Sequence, residues 1–228
     1  MSVAENVKRV QERIRRACDG SGRAPGDVRL IAVSKTKPAE AVRQAYAAGL
    51  REFGENRVQE AAGKRKELED LDITWHLIGH LQSNKARQAC ELFGWIQSVD
   101  SLAIAQRIDR FATGFGHRLP VLIEVHLGDE ASKFGVEESE LARLAEQVGA
   151  LESLELRGLM VLPPFFDDPQ DVRPYFSQLR ELAARIGARK LPGVQMRELS
   201  MGMSHDFEIA IEEGATIVRV GTALFGSR

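Results

Sequence analysis

The sequence predicts a (β/α)₈ barrel, an α/β fold in which parallel strands alternate with helices. Three observations carry this prediction. Eight short apolar segments alternate with helical patterns along the 228 residues, and this alternation indicates a parallel sheet. The connections are short, and no long linker or low-complexity stretch interrupts the series. Eight repeats in a chain of this length suit a closed barrel better than an open doubly wound sheet.

An extra helix is predicted ahead of the barrel, over residues 1–20. The apolar residues at helical spacing on one face of this segment are Val3, Val7, Val10 and Ile14. We expect this helix to pack on the barrel, and the whole chain, residues 1–228, to form a single domain.

The strand candidates are apolar runs bounded by polar or glycine-containing turns. They are VRLIAVS (28–34), REFGE (51–55), WHLIG (75–79), WIQSV (95–99), PVLIEVHL (120–127), ELRGLMVL (155–162), MRELSM (196–201) and ATIVRVG (215–221). An open dinucleotide-binding sheet is the alternative, but it would place a G-x-G-x-x-G motif after the first strand, and that motif is absent.

The segments between the strands carry helix signals. PAEAVRQAYAAG has its proline near the first turn and its glycine after the last, which is the usual asymmetry of a helix. ESELARLAEQVGA places its leucines and its valine on one stripe. SHDFEIAIEEG ends at Gly214, a natural helix stop.

Composition and charge narrow the class of protein. The net charge of −2 gives no reason to expect nucleic acid or an acidic membrane as a partner. No run approaches the ~18 apolar residues of a membrane span, and the N-terminal stretch lacks the apolar segment of a secretory signal. Cys18 and Cys90 are not at metal-ligand spacing, so we expect free thiols and a cytoplasmic protein.

Polar residues collect where the predicted strands end, and in a barrel these ends face one site. Lys35 follows the first strand, Asn56 the second and His80 the third. His80 comes four residues after His76, but in a predicted strand this is not the helical pair of a metal site, and no third ligand is evident. The candidates at the last two strands are Ser200, Met201, Gly202, Arg219, Gly221 and Thr222.

The glycine-containing turns after the seventh and eighth strands predict an anion site. Such turns leave backbone N–H groups uncovered, and if each turn opens a helix, these donors point at a common spot beside hydroxyl groups. Barrels often bind a phosphate in this place. In the alternative interpretation the glycines only shape turns and the hydroxyls only cap helices.

Lys35 is the candidate nucleophile. Partial burial at a barrel mouth disfavours the ammonium form, and a lysine so placed is the usual partner for Schiff-base chemistry with a carbonyl. Pyridoxal 5′-phosphate offers a carbonyl and a phosphate, so its aldehyde would join Lys35 and its phosphate would lie on SMGMS and GTAL. The alternative is a surface lysine at a strand end, close to Lys37.

Arg219 lies within the predicted eighth strand, where a lone buried charge is costly. A pyridine nitrogen would supply an acceptor, and because arginine keeps its proton, that nitrogen would stay unprotonated and weaken the ring as an electron sink. A strand-end carboxylate such as Glu124 or Glu198 is the alternative partner. Asn56 likewise has two interpretations, as a hydrogen-bond partner of the ring or as a helix cap.

Several segments resemble one family. VSKTKP, FGENRVQE, WHLIGHLQSNK, GLM and above all LSMGMSHDFEIAIEEGATIVRVGTALFG are similar to the pyridoxal phosphate homeostasis protein family, over nearly the whole chain. The resemblance implies a barrel like the N-terminal domain of alanine racemases, with the vitamin B6 cofactor held as a Schiff base on Lys35. The residues that it implies around the phosphate are Ser200, Met201, Gly202, Gly221 and Thr222. It also implies Arg219 beside the pyridine nitrogen and Asn56 near the ring.

The sequence favours a carrier over an enzyme. A racemase needs two acid–base groups, one on each face of the substrate carbon. In alanine racemases a lysine supplies one, and a tyrosine from a second domain of the partner subunit supplies the other. We expect no second domain here, because eight residues follow Val220, and Tyr46 and Tyr175 fall in helical patterns of the outer ring.

The resemblance implies the same role: no established enzymatic activity, and a part in the homeostasis of pyridoxal phosphate and of amino- and keto-acid pools. We expect a monomer, with pyridoxal phosphate-dependent apoenzymes as the partners to consider. The alternatives are a small pyridoxal phosphate-dependent amino-acid racemase and a binding module for a phosphorylated sugar or nucleotide.

Overall fold

The computed structural model describes residues 2–116, 118–128 and 134–226, and within them parallel strands close into an eight-stranded barrel in sequence order. The strands are β1 (Arg29–Val33), β2 (Glu52–Glu55), β3 (Thr74–Leu77), β4 (Trp95–Val99), β5 (Leu119–Val125), β6 (Leu154–Val161), β7 (Val194–Ser200) and β8 (Ile217–Val220). The predicted fold class is confirmed, and the strand boundaries differ from the predicted ones by at most two residues.

Helices alternate with the strands and cover the outside of the barrel. They are α1 (Val3–Gly20), α2 (Ala39–Ala47), α3 (Val58–Glu67), α4 (Ala86–Leu92), α5 (Leu102–Ala112), α6 (Glu138–Gly149), α7 (Arg173–Ala188), α8 (Phe207–Glu212) and α9 (Thr222–Phe225). The predicted stripe of α6 is buried, and α8 is followed by Gly214 with a φ of 100°, the left-handed conformation that glycine allows.

The N-terminal helix α1 packs on the segments that follow the last two strands. Its predicted apolar face is buried at Val7, Val10 and Ile14. The side-chain amide of Asn6 donates to the Leu224 carbonyl at 2.9 Å, and the guanidinium of Arg13 lies 4.4 Å from the centre of the Phe207 ring. The helix therefore supports α8 and α9 from outside.

The barrel interior holds a small apolar layer, separate from the larger core between barrel and helices. The buried side chains of this layer are Ile31, Leu122, Met160 and Ile217, with Trp95 packed against them. Each such side chain contributes roughly 1.5–3 kcal/mol through burial. Buried polar side chains, among them Gln97 and Ser200, also lie in the barrel interior.

Two findings bear on the predicted surroundings of the protein. Among the described helices, none has both the length and the apolar character needed to cross a membrane. Cys18 and Cys90 are both buried free thiols, and burial raises the pKa of Cys90 to about 12.

Candidate functional site

A pocket of about 250 Å³ opens at the carboxyl ends of the strands. Its wall combines the ends of β1 and β8 with the segment between β7 and α8. The polar residues in this wall include Lys35, Asn56, Ser204, Asp206, Arg219 and Thr222. A larger cavity, of about 420 Å³, lies beside Thr74, Gly94 and Leu119 at the amino ends of the strands. Active sites of such barrels lie at the carboxyl face, and at that face the 250 Å³ pocket brings Lys35 together with Arg219 and Thr222, so it is the candidate.

Lys35 comes just after β1, is half-buried, and forms part of the pocket wall. The next residue, Thr36, has a φ of 64°, a left-handed conformation that β-branched residues rarely adopt. Such strain costs of the order of 1–3 kcal/mol and clusters at functional sites. The backbone N–H of Thr36 donates to Glu60 Oε1 at 2.5 Å, which helps to hold this turn.

Asn56 follows β2 and also lines the pocket. Its backbone touches Gly79, the residue at which the chain leaves the barrel after β3. A Cβ atom on Gly79 would lie 2.5 Å from the Asn56 carbonyl oxygen, so only glycine allows this close approach. Lys35 and Asn56, which are far apart in the predicted elements, therefore meet in one cavity, as expected from the barrel.

Gly221, Thr222 and Ser204 form the part of the pocket wall that follows β7 and β8, and β8 is the strand next to β1. The backbone N–H groups of Gly221 and Ala223 both donate to Ser204 Oγ, each at 3.2 Å. Two main-chain donors thus converge on the Ser204 hydroxyl oxygen, and Thr222 adds a second hydroxyl group to this part of the wall. This is the donor set that an anion such as a phosphate group prefers.

Ser204 is a residue that the sequence interpretation did not single out, and it lines the pocket, whereas the predicted Ser200 does not. Ser200 and Met201 are fully buried at the end of β7 and are not part of the pocket wall. Gly202 then turns the chain with a φ of 90°, and Ser204 emerges in the wall. Side chains alternate across a strand, so the alternation along β7 and the glycine turn were the signals that distinguish the two serines.

Arg219 forms part of the pocket floor and is 3% exposed. Its guanidinium donates to Ser200 Oγ at 2.6 Å and to the Val161 carbonyl at 2.8 Å. Burial lowers the pKa of Arg219 to about 10, opposed by the negative charges of Glu124 and Asp206. The side chain therefore stays a cation at neutral pH and offers only hydrogen-bond donors.

A hydrogen-bonded chain runs from Arg219 through the barrel interior, and we call it the inner network: Arg219, Ser200, Gln97, His76 and Glu52. Ser200 Oγ donates to Gln97 Oε1 at 2.6 Å. The Gln97 amide nitrogen lies 3.0 Å from His76 Nδ1, and His76 Nε2 lies 2.9 Å from Glu52 Oε2. Since the amide donates to Nδ1, the ring proton is on Nε2 and points at Glu52. Burial lowers the pKa of His76, which keeps the ring neutral.

In the described structure, Arg219 forms a hydrogen bond with neither of the carboxylates considered as its partners. Glu198 lies 2.9 Å from Arg29 at the bottom of the barrel. Glu124 is buried near the pocket floor, and burial raises its pKa to about 7, with the charge of Arg219 opposing the rise and Asp100 adding to it. The hydrogen bonds of Arg219 thus go to neutral oxygen atoms, and its charge is balanced at longer range.

His76 and His80 each have a partner within the protein. Within the described ranges, no group of three or more histidine, cysteine, aspartate or glutamate side chains is arranged to hold a metal ion. His76 belongs to the inner network, and His80 Nδ1 pairs with Asp100 at 3.0 Å. At the start of α8, Asp206 Oδ1 accepts from the Met203 backbone N–H at 2.6 Å, so it holds the turn that carries Ser204.

The tyrosines lie on helices, as predicted, and are not among the residues of the pocket wall. Tyr46, in α2, packs its ring against Arg51 at 3.8 Å. Tyr175, in the first turn of α7, contacts Phe166, and a Cβ on Gly128 would lie 2.7 Å from its ring. Tyr175 therefore lies beside the segments that follow β5 and β6, at the carboxyl face of the barrel.

Known proteins resemble this chain over its full length. A family model described as "Alanine racemase, N-terminal domain" matches residues 3–228. A curated relative from Aquifex aeolicus, named "Pyridoxal phosphate homeostasis protein", is 46% identical over 100% of this chain and 99% of its own. A relative of the same name from Pseudomonas aeruginosa is 49% identical over 100% of this chain and 96% of its own.

Solved structures show the same relationship. PipY of Synechococcus elongatus, whose structure is described as having PLP bound, is 45% identical, has a TM-score of 0.88, and covers 99% of this chain and 100% of its own. An alanine racemase of Clostridium difficile matches with a TM-score of 0.76 at 15% identity, over 98% of this chain and 57% of its own. This second likeness shows the fold alone.

Proposed function

The chain belongs to the pyridoxal phosphate homeostasis protein family, and on that premise we propose that it binds pyridoxal 5′-phosphate on Lys35 and takes part in the homeostasis of this cofactor in the cell. The observation that carries the proposal is the convergence, in one pocket, of an amine with a set of anion donors. The motifs around Lys35 and in the last two strands predicted the same cofactor.

The residues present fit the cofactor at both of its ends. The main-chain N–H groups of Gly221 and Ala223 converge on one hydroxyl oxygen, and a phosphate oxygen is a stronger acceptor for such donors than a hydroxyl. Gly221 is part of the cradle, because a Cβ there would lie 3.2 Å from the Val33 carbonyl oxygen. We propose Ser204, Gly221 and Thr222 as the phosphate contacts, with Ser204 replacing Ser200 in this role.

Lys35, Asn56 and Arg219 would hold the rest of the molecule. When bound, the cofactor supplies an aldehyde that reacts with amines and a ring that withdraws electrons from an attached carbon. Lys35 presents the amine that would hold it as a Schiff base, and Asn56 offers a hydrogen bond at the ring. Arg219 presents N–H donors and a positive charge, so it would leave the pyridine nitrogen unprotonated.

We propose that the protein holds the cofactor without catalysing a reaction. A racemase needs a second acid–base group opposite the lysine, and the tyrosines lie outside the pocket wall of the described structure. Arg219 would also weaken the ring as an electron sink. Incubation with L-alanine in deuterated water tests this point: we expect no exchange of the α-proton at an enzymatic rate, and exchange at such a rate would favour a racemase.

We propose a cytoplasmic, monomeric carrier that exchanges pyridoxal phosphate with apoenzymes. The two buried free thiols support a reducing compartment. Light scattering on the purified protein measures the oligomeric state, for which we expect one chain. Mixing the loaded protein with an apoenzyme and following recovery of the apoenzyme's activity measures transfer.

The visible spectrum tests the proposal as a whole. We expect the protein with added pyridoxal phosphate to show the absorbance band of a Schiff base. The Lys35→Ala variant should lose that band and should still bind pyridoxamine 5′-phosphate, which has no aldehyde and needs only the phosphate and ring contacts. A parent protein without the band would contradict the proposal, and a variant with the full band would exclude Lys35 as the attachment point.

A further inference from the structure

A second buried polar cluster lies outside the barrel wall, between β2 and α3, and we call it the outer network: Lys64, Glu55, Glu60, Ser34 and Thr36. Lys64 is 6% exposed. Its ammonium group donates to Glu55 Oε1 at 2.7 Å, to Glu60 Oε1 at 2.7 Å and to the Ser34 carbonyl at 2.6 Å. All three donors of this amine are therefore used inside the protein.

The outer network forms hydrogen bonds with the residues on both sides of Lys35. On one side, Ser34 offers its carbonyl to Lys64 and donates its hydroxyl to Glu55 Oε1 at 2.6 Å. On the other side, the backbone N–H of Thr36 donates to Glu60 Oε1 at 2.5 Å. The network thus contacts the two neighbours of Lys35, and Thr36 is the residue held in the left-handed conformation.

The outer network contains a buried carboxylate whose removal from water is energetically costly. That the protein retains this cost indicates a role beyond stability. Glu55 is fully buried, and its oxygen Oε2 has no hydrogen-bond partner among the described residues. Burial raises the pKa of Glu55, with hydrogen bonds from Lys64 and Ser34 opposing the rise. An apolar pair of similar volume at the positions of Lys64 and Glu55 would avoid this desolvation cost.

We propose that Lys64, acting through Glu60 and Glu55, is a positioning residue that fixes the backbone on both sides of Lys35 and so directs the Lys35 amine into the pocket. This inference rests on the proposed function, because it concerns how the cofactor is attached. Lys64 does not line the pocket, so its effect passes through the chain segment from Ser34 to Thr36.

The test separates attachment of the cofactor from simple binding. Pyridoxamine 5′-phosphate reports on the phosphate and ring contacts alone, whereas the rate of Schiff-base formation with pyridoxal 5′-phosphate also reports on the placement of the Lys35 amine. The main variant is Glu60→Met, because Glu60 is partly exposed and its loss leaves the Lys64–Glu55 pair in place. Glu60→Gln retains an oxygen acceptor for the Thr36 N–H, and Glu67→Met is the matched control on an exposed position of the same helix.

We expect Glu60→Met to slow attachment by about tenfold, the factor that corresponds to about 1.4 kcal/mol. Its dissociation constant for pyridoxamine 5′-phosphate should stay that of the parent. Glu60→Gln should recover most of the rate, and Glu67→Met should behave like the parent. Lys64→Met, where it folds, should slow attachment at least as much as Glu60→Met.

Two results would overturn the inference. An unchanged attachment rate in Glu60→Met would show that the outer network does not place Lys35. Equal losses of attachment and of pyridoxamine 5′-phosphate binding would show a general disturbance of the pocket. A parent protein that binds neither ligand would contradict the proposed function instead, so the two failures are distinguishable.

Discussion

The inner and outer networks reach the pocket from opposite sides of the barrel wall and differ in chemistry. The inner network is a chain of mostly neutral groups that starts at Arg219 and runs down through Gln97 and His76. The outer network is built around one buried ammonium group, Lys64, and two carboxylates. The inner network holds the floor of the pocket, and the outer network holds the residues beside Lys35.

The two networks should respond differently to substitution, because one depends on hydrogen bonds through neutral side chains and the other on a buried ion pair. Three neutral side chains, Ser200, Gln97 and His76, link Arg219 to Glu52, so Arg219 is oriented by hydrogen bonds to neutral oxygen atoms. A buried ion pair is strong only while both partners are present, and the loss of one leaves an uncompensated charge. The outer network should therefore be the more sensitive of the two to a single substitution.

The largest expected effect is that of Lys64→Met on stability. The substitution keeps the length of the side chain but leaves Glu55 buried without its cation, so we expect a loss of about 3–5 kcal/mol in the free energy of unfolding. Urea denaturation of the cofactor-free protein measures it. Lys66→Met, at an exposed position of the same helix, is the control, and similar losses in both variants would contradict the assignment.

The next effect concerns Glu124, below the pocket and close to the charge of Arg219. Burial raises the pKa of Glu124 from 4.5 to about 7. Between these values the folded state keeps a proton that the unfolded chain releases, so this group makes the folded state less stable as pH rises, by up to about 3 kcal/mol. We expect Glu124→Gln to remove that part of the pH dependence, as measured by urea denaturation across this range. Identical slopes in parent and variant would show that Glu124 titrates normally.

A third prediction compares the two serines of the SMGMS segment. Ser204→Ala would remove the hydrogen bond to the phosphate that we propose, so we expect the cofactor to dissociate faster by roughly 10- to 100-fold, as follows from about 1.5–3 kcal/mol. Ser200→Ala should mainly lower the stability of the protein, because it removes a link of the inner network. Gel filtration followed by the absorbance of retained cofactor measures both, and faster release in Ser200→Ala than in Ser204→Ala would reverse the assignment.

The smallest expected effect is that of Gln97→Leu, which interrupts the inner network at its centre. His76 Nδ1 and the Ser200 hydroxyl would each lose a partner, so we expect a loss of about 1–3 kcal/mol in the free energy of unfolding. The loss should stay below that of Lys64→Met. A larger loss would mean that the neutral network, and not the ionic one, carries more of the stability.

Much of this structure could be predicted from the sequence, because the signals were local. The eight apolar runs, the glycine after α8 and the apolar face of α1 each depend on residues close in the chain. The predicted positions of Lys35, Asn56, Gly221 and Thr222 in one pocket followed from the rule that strand ends meet.

The remaining features depend on three-dimensional contacts that spacing does not encode. Ser200 was assigned to the phosphate because it stands beside a glycine turn, but the alternation along β7 turns its side chain into the barrel. Gln97 and His76 showed no motif, since their partners lie on other strands. Lys64 lies in GKRKELED, a stretch of mixed charges of the kind that usually forms a solvated helix face, and only the packing of α3 on β2 buries it.

Reduction with borohydride followed by peptide mapping tests the central claim most directly. The protein loaded with pyridoxal 5′-phosphate is reduced, digested and analysed by mass spectrometry. We expect one modified peptide, with the pyridoxyl group on Lys35. Modification of a different lysine, or no modified peptide from protein incubated with excess cofactor, would contradict the account.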